Sequence, residues 1–367
     1  MKLKYFVIAS LSVLVSITLA VSFIAGCGVT TGGGGAGHGT ITYYGTQSPG
    51  DAWAWTIKSS TFIGTNETTG NTYWGDYIVL PSGFYKGTIV GATTDEVSPD
   101  DVGYFMEIPN TALLVKPMGA EGTDEDRVII CAAAAAAGPA GGNDYPYIRI
   151  PDQTWAPTGE TSYGISTSNL AGGVYTFEVN SWDYAGDPVS VGQLAPDYTF
   201  ADGKLTSPVS STEIYMTPSG VFIGDEGEDL GGFAGGGKST DPSITVEVAT
   251  GRNYRGVIFH YNITTGSGST DAIGAREYPS MPGVIQGWTF DDVDTQTGPL
   301  TEWTTLEFTD FSDGFAFGTL RDTQGFSNTF KMLISNVGTV SSPKYLIFGI
   351  SIDGDGNPQN FLVIETD

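Results

Sequence analysis

The chain has 367 residues, and its 41 acidic and 15 basic side chains give a formal charge of −26 at pH 7. A protein this acidic is repelled by nucleic acids and by anionic lipid head groups, which argues against nucleic-acid binding. Only two histidines are present, so a multi-histidine metal site within one chain is excluded.

The N-terminal segment has the layout of a signal peptide. Lys2 and Lys4 form a basic start, and residues 5–24 are an apolar run interrupted only by serines and a threonine. The alternative is an uncleaved transmembrane anchor, because the run approaches the ~20 residues that a membrane span needs. Both interpretations tie the chain to a membrane.

The sequence FIAGC at residues 23–27 resembles the lipobox of bacterial lipoproteins, in which an apolar residue and two small residues precede a cysteine. The resemblance implies that residues 1–26 are a signal peptide and that Cys27 becomes the lipid-carrying first residue of the mature chain. Gly28, rather than aspartate, follows the cysteine, which by the same resemblance implies the outer membrane. We therefore expect an exported outer-membrane lipoprotein, facing the periplasm or the cell surface, whose membrane partner is reached through its lipid anchor.

Residues 27–39 are rich in glycine and predict a flexible tether between the lipid and a folded body. Removal of the signal peptide takes away two lysines, which leaves 41 acids against 13 bases and a formal charge of −28. Once Cys27 is lipidated, Cys131 has no partner for an intramolecular disulfide. Its aliphatic and alanine neighbours predict a buried thiol.

Beyond the tether, frequent glycine, threonine and aromatic residues predict an all-β chain. Residues 40–140 are expected to form an N-terminal, sandwich-like antiparallel β domain. Trp53 and Trp55 lie two positions apart and therefore share one face of a strand. The predicted strands of this domain are Thr40–Gly45, Ala52–Ile63, Tyr73–Leu80, Phe84–Gly91, Val102–Ile108, Ala112–Lys116 and Arg127–Ala133.

The clearest change of composition is CAAAAAAGPAGGND at residues 131–144, which predicts a domain boundary. Residues 141–212 are expected to be a loop-rich connecting region with two or three strands, the best being Tyr147–Ile150 and Val174–Val179. Exposed aromatic rings in such loops stack on sugars, whereas filling of a β core is the alternative for each ring. The candidate ligand-binding residues of this type are Trp155, Trp182 and Tyr184.

Residues 213–367 are predicted to be an antiparallel meander that closes into a barrel or sandwich. The last two strands are joined by the hairpin signal DGDGN at residues 353–357. The predicted strands are Glu213–Met216, Val221–Gly224, Ile244–Val248, Gly256–Asn262, Gly287–Phe290, Thr301–Phe308, Phe315–Leu320, Thr329–Ile334, Tyr345–Ile352 and Phe361–Glu365.

The stretch GVFIGDEGEDLGGF at residues 220–233 resembles a segment of the transferrin-binding-protein-B-like surface lipoproteins. In that family an apolar strand, a glycine, acidic residues and a Gly-Gly-aromatic sequence lie in an eight-stranded barrel. The resemblance covers about 14 residues and lacks the proline and paired aromatic usual before the acidic turn. It implies a lipoprotein β-barrel and assigns no functional residue.

Short acidic clusters are the candidate metal sites, because Ca²⁺ takes carboxylate and carbonyl oxygens. Solvated loops are the alternative for each cluster. No cofactor is predicted, and Ca²⁺ is the one candidate ion; no glycine-rich loop leads into Lys-Ser/Thr, so nucleotide binding is not expected. The candidate metal-binding residues are Asp291, Asp292, Asp294, Asp225, Glu226, Glu228 and Asp229.

The function expected from these patterns is that of a non-enzymatic outer-membrane or cell-surface lipoprotein that binds an unknown protein or glycan ligand or builds the envelope. The alternative is a carbohydrate-binding or carbohydrate-degrading surface protein. His260 lies in a strand-like segment, which argues against a catalytic triad, so catalysis is not the leading expectation. An empty apolar interior in the C-terminal barrel would favour ligand binding over a purely structural role.

Overall fold

The architecture comes from a computed structural model of the chain. Within the described residues, no helix has the length and apolar character needed to cross a bilayer. The described residues are 40–47, 51–95, 97–108, 112–117, 129–133, 144–151, 162–170, 174–182, 188–193, 198–201, 204–206, 213–216, 222–225, 232–236, 244–262, 264–265, 267–299, 301–312, 315–338, 341–352 and 357–366.

The described chain is almost entirely β and forms three antiparallel sheets in chain order, which confirms the all-β prediction. The first eight strands make a closed barrel, called here the first barrel. Its strands are β1 (Ile41–Gln47), β2 (Asp51–Ile57), β3 (Thr61–Asn66), β4 (Thr72–Val79), β5 (Tyr85–Ala92), β6 (Val102–Ile108), β7 (Ala112–Pro117) and β8 (Ile129–Ala133).

The first barrel closes because its last strand pairs with its first. Tyr43 of β1 lies opposite Ala133 of β8, and Gln47 lies opposite Ile129. The sequence suggested a sandwich-like arrangement for these strands, whereas the pairing joins the two edges of one sheet. Closure leaves no row of unpaired backbone groups at an edge, which is how barrels avoid edge-to-edge association.

The second sheet has nine strands, and six of them lie within residues 141–212, where the sequence predicted two or three. The strands between residues 213 and 236, which were expected to open the C-terminal meander, belong to this sheet because Gly232–Gly236 pairs with Asp144–Pro151. The described residues of the family-like stretch, 222–225 and 232–233, therefore lie outside the C-terminal barrel. The strands are β9 (Asp144–Pro151), β10 (Ser162–Leu170), β11 (Val174–Trp182), β12 (Pro188–Gln193), β13 (Tyr198–Ala201), β14 (Lys204–Thr206), β15 (Glu213–Met216), β16 (Phe222–Asp225) and β17 (Gly232–Gly236).

The third sheet is a closed eight-stranded barrel, called here the second barrel, and it is preceded by the short helix α1 (Ile244–Ala249). Each strand pairs with the next one in the chain, as a meander requires. The strands are β18 (Asn253–Asn262), β19 (Ser267–Glu277), β20 (Ile285–Thr289), β21 (Thr304–Ser312), β22 (Phe315–Asp322), β23 (Ser327–Asn336), β24 (Tyr345–Ile352) and β25 (Pro358–Thr366).

Strand β25 closes the second barrel by pairing with β24 on one side and β18 on the other. Its successive side chains point to opposite faces of the sheet. Phe361 and Val363 join the core cluster inside the barrel, while Leu362 and Ile364 join the cluster that also contains Phe84 of the first barrel. Both faces of β25 are therefore buried, which explains its continuous apolar sequence.

Two local predictions were wrong. The predicted strand Ala52–Ile63 is a hairpin of β2 and β3, because a turn at 58–60 forms without the glycine or proline that usually signals one. The predicted strand Ile244–Val248 is helix α1, although its β-branched residues favour a strand. Val248 and Ala249 are fully buried in the core of the second barrel, so tertiary packing outweighs local propensity there.

The two barrels meet at a buried guanidinium. Residues Gly39–Asp367 cluster as one compact unit. Arg255 of β18 donates through Nε to the carbonyl of Ser82, in the tight turn between β4 and β5, and through Nη1 to the carbonyl of Tyr254 at 2.6 Å. Its guanidinium carbon lies 5.4 Å from the ring centroid of Trp288 and 5.6 Å from that of Phe290. The guanidinium thus lies over two aromatic rings of the second barrel and hydrogen-bonds the turn of the first.

Burial, with a smaller contribution from Arg276, lowers the pKa of Arg255 to about 10, so the guanidinium stays charged at neutral pH. Its described partners are carbonyl oxygens and ring faces rather than a carboxylate. A second link, the ion pair of Lys86 and Asp294, has side chains 25% and 36% exposed. Because solvent screens such pairs, the exposed link contributes about 0–1 kcal/mol, and the buried one dominates.

Replacement of Arg255 by alanine should lower the free energy of unfolding by about 3–5 kcal/mol, because it leaves a hole in the interface and a buried carbonyl without its donor. The matched change Lys86→Ala removes a cation from the same interface and should cost less than about 1 kcal/mol. Urea unfolding of both variants measures the difference. Equal losses would show that the guanidinium is not the dominant contact.

Candidate functional site

A cavity of about 270 Å³ lies inside the second barrel. Side chains on the inward face of its strands line the cavity, and most of them are aliphatic or aromatic. This is the empty interior that favours ligand binding over a purely structural role. The principal apolar lining residues are Ile258, Ile273, Ile285, Leu306, Leu320, Met332, Ile347, Phe361 and Val363.

Helix α1 closes one end of the second barrel. The helix precedes the start of β18, and its last two residues are buried among the inward side chains of the strands. Tyr254, which is 1% exposed, donates its hydroxyl to the carbonyl of Val248 at 2.9 Å. The same end is secured by Arg252, which donates to a carboxylate oxygen of Glu365 at 2.6 Å. This end is therefore packed and hydrogen-bonded.

The opposite end carries the polar part of the lining. In an antiparallel meander the ends of β18, β20, β22 and β24 lie together with the starts of β19, β21, β23 and β25. The polar lining residues fall at those strand ends or in the connections beside them, and we call this end the mouth. They are His260, Thr289, Glu302, Thr304, Asp322, Thr323, Gln324, Ser351 and Gln359.

His260 is held at the mouth by two neighbours. Nε2 of Gln359 lies 3.0 Å from Nδ1 of His260, and Oδ2 of Asp271 lies 3.4 Å from its Nε2. The amide of Gln359 therefore hydrogen-bonds one ring nitrogen, and the other ring nitrogen faces the carboxylate. The imidazole is thus held between an amide and a carboxylate, with Nε2 facing Asp271.

The first barrel has the same strand number but a different interior. Trp53 and Trp55, predicted to share a strand face, are both 4% exposed and stack with ring centroids 6.0 Å apart. Tyr73 packs 5.3 Å from Trp53, and Phe62 lies 5.7 Å from Trp55. Large rings fill this core, so Trp53 and Trp55 are core residues and not exposed rings that could stack on a sugar.

Three predicted metal-binding residues lie on the connection after β20, beside a crevice of about 260 Å³ between the barrels that Asp291 and Asp292 line. Asp294 binds Lys86 and accepts the hydroxyl of Tyr104 at 2.9 Å. A hydrogen bond from Thr295 is the main cause of the lowered pKa of Asp292.

No group of three or more His, Cys, Asp or Glu residues in the described ranges is placed to hold a metal ion. Calcium binding at these residues stays a prediction.

Two more of the predicted site residues lie in the second sheet. Asp225 ends β16 and Trp182 ends β11, both in the nine-stranded sheet. The residues that lie outside the described part of the chain are Cys27, Trp155, Tyr184, Glu226, Glu228 and Asp229.

The cavity residues were missed because they are spread over more than 100 positions of sequence and only barrel closure assembles them. Two glycines on the inward face of the barrel, Gly349 and Gly287, differ in the space around them. A Cβ at Gly349 would come 1.8 Å from the ring of Phe361, so that glycine makes room for a ring. A Cβ at Gly287 would meet nothing closer than Leu306 Cδ1 at 3.7 Å, which is an ordinary van der Waals contact, and Gly287 lines the cavity.

No protein-family model and no curated protein sequence matches the chain. Among solved structures, a double-mutant form of the vaccine antigen transferrin binding protein B from Haemophilus parasuis is similar, at 8% sequence identity and a TM-score of 0.24. The matched region covers 89% of this chain and 76% of that one. A superposition at this TM-score carries no argument about function, so the site must be interpreted from its own geometry.

Substitution of Tyr254 by phenylalanine tests the closed end of the barrel. Burial, and then the charge of Glu365, raises the pKa of this phenol above its ordinary value. The stability that comes from the neutral phenol is therefore complete below about pH 10. It is lost as the pH rises further, because the phenol of the unfolded state releases its proton first. Tyr254→Phe should cost about 1 kcal/mol at neutral pH, through the lost hydrogen bond.

At about pH 11 that cost should shrink or reverse. Urea midpoints of both proteins at the two pH values check this. A cost that is independent of pH would contradict the assigned role of the phenol.

Proposed function

We propose that the chain is a lipid-anchored, non-enzymatic surface lipoprotein whose second barrel binds a small, mainly apolar ligand. The cavity inside that barrel carries the proposal. Eight-stranded barrels have interiors just large enough for side chains or for one small ligand. An apolar cavity of about 150 Å³ already accepts a benzene-sized molecule, and small-molecule sites start near 300 Å³.

The division of the lining supports a ligand of mixed character. Apolar side chains such as Ile273, Leu306 and Val363 surround the inner part, where each buried methylene of a ligand gains about 0.8 kcal/mol. Polar side chains such as Gln359 and Asp322 stand at the mouth, where a head group keeps its hydrogen bonds. A short amphiphile, with its chain inside and its head at the mouth, fits this arrangement.

The anchor is the second part of the proposal, and it is supported by the lipobox-like sequence at residues 23–27. The glycine-rich residues 27–39 would separate the lipid from the barrels by a flexible chain. An outer-membrane or cell-surface position would expose the cavity to ligands outside the inner membrane. The protein or glycan partner expected from the sequence stays a prediction beside this proposal.

The variant Gly287→Leu tests the cavity. The position lies on the inward face and has room for a side chain, so the variant should fold with unchanged or higher thermal stability. It should weaken binding of the neutral fluorescent probe N-phenylnaphthylamine about tenfold or more, by occupying the space.

Val90→Leu, at a position 55% exposed on the first barrel, is the control and should bind like the parent protein. Equal probe affinity in all three proteins, or no binding by the parent, would remove the cavity as a ligand site.

The variant Cys27→Ala tests the anchor. In bacteria fed an alkyne-labelled fatty acid, the parent chain and the control Cys131→Ala should be labelled and fractionate with membranes. Cys27→Ala should lose the label and keep its signal peptide, because processing of a lipobox follows lipid attachment. A Cys27→Ala protein that matures to the same size and still carries the label would show that the lipobox interpretation is wrong.

A further inference from the structure

The charged groups at the mouth are the feature that distinguishes among amphiphilic ligands. We infer that the cavity selects amphiphiles with a neutral or cationic head group and rejects fatty acids and other carboxylates. The inference rests on the proposed function and names the ligand class for the same site.

Two carboxylates are held in place at the mouth. Oδ1 of Asp322 accepts the backbone N–H groups of Gln324 at 2.9 Å and Phe326 at 2.8 Å, which fixes this carboxylate at the end of β22. Glu302 lies two residues before β21, and its Oε1 is 3.4 Å from the side-chain nitrogen of Gln324. Both acids line the cavity, so a head group at the mouth lies beside two negative charges.

No compensating cation is available in the described lining. Lysine and arginine are missing from the described residues that surround the cavity. His260 is the one histidine among them, and its two ring nitrogens face Gln359 and Asp271. A carboxylate head would therefore have to lose its hydration next to two like charges, which is unfavourable.

The remaining mouth groups suit neutral heads. Thr304, Ser351 and Gln359 offer hydroxyl and amide groups that hydrogen-bond an alcohol or an amide. An ammonium head gains in addition from Glu302 and Asp322. Repulsion between a carboxylate head group and the two acids at the mouth is expected to weaken binding by about tenfold or more.

A matched ligand series tests the inference on the full mature chain. Decanol, decylamine and decanoate share one apolar chain and differ in head charge, and each displaces bound N-phenylnaphthylamine if it enters the cavity. The expected order of affinity is decylamine and decanol above decanoate, with decanoate weaker than decanol by about tenfold or more.

The double variant Glu302→Gln/Asp322→Asn removes the two charges while keeping the oxygen that accepts the turn N–H groups. It should bring decanoate to within about threefold of decanol. The control is Glu277→Gln/Asp310→Asn, because these acids lie on β19 and β21 toward the closed end of the barrel and the change in total charge is the same. The control should keep the selectivity of the parent.

Selectivity in the parent and the control, with its loss in the mouth variant, supports the inference. Decanoate binding as tightly as decanol to the parent overturns it and leaves the proposed ligand-binding function standing. Equal loss of selectivity in the control assigns the effect to net charge and also overturns it. Failure of all three molecules to displace the probe overturns both the inference and the proposed cavity function.

Discussion

Backbone pairing between β18 and β25 is the constraint on which the second barrel and its cavity depend. Residues from Asn253 to His260 pair in register with residues from Thr366 back to Gln359, and this row of hydrogen bonds turns an open meander into a barrel. Without it the sheet would have two exposed edges, and its apolar inner face would be open to water. The cavity and its mouth exist only because the sheet is closed.

Closure also determines what the outer face must do. Strands β24 and β25 carry apolar side chains on both faces of the sheet. The outer face of the barrel therefore needs a second surface to cover it. Phe348 and Leu362 belong there to one buried cluster with Leu80 and Phe84 of the first barrel. Arg255 organises this contact, since one guanidinium hydrogen-bonds the turn at Ser82 and lies over two aromatic rings.

The sequence predicted the antiparallel β architecture, the terminal hairpin and the shared face of Trp53 and Trp55, because period-two alternation and turn residues are local signals. It did not predict helix α1, whose residues favour a strand until the barrel end buries them. Nor did it predict the cavity, because Tyr254 and Val363 are neighbours in the barrel and distant in sequence. The alternation of apolar and polar residues identifies which side chains point into the barrel. The number of strands and the closure of the sheet decide whether those side chains fill the interior.

Two inward glycines of the second barrel differ in their freedom to change. At position 349 the ring of Phe361 occupies the place of a side chain, so any larger residue would displace a core aromatic group. At position 287 the first added carbon would meet only ordinary van der Waals contacts. A larger residue at position 287 would therefore change the volume of the cavity while the strand pairing stays the same, so cavity volume and barrel stability depend on different positions.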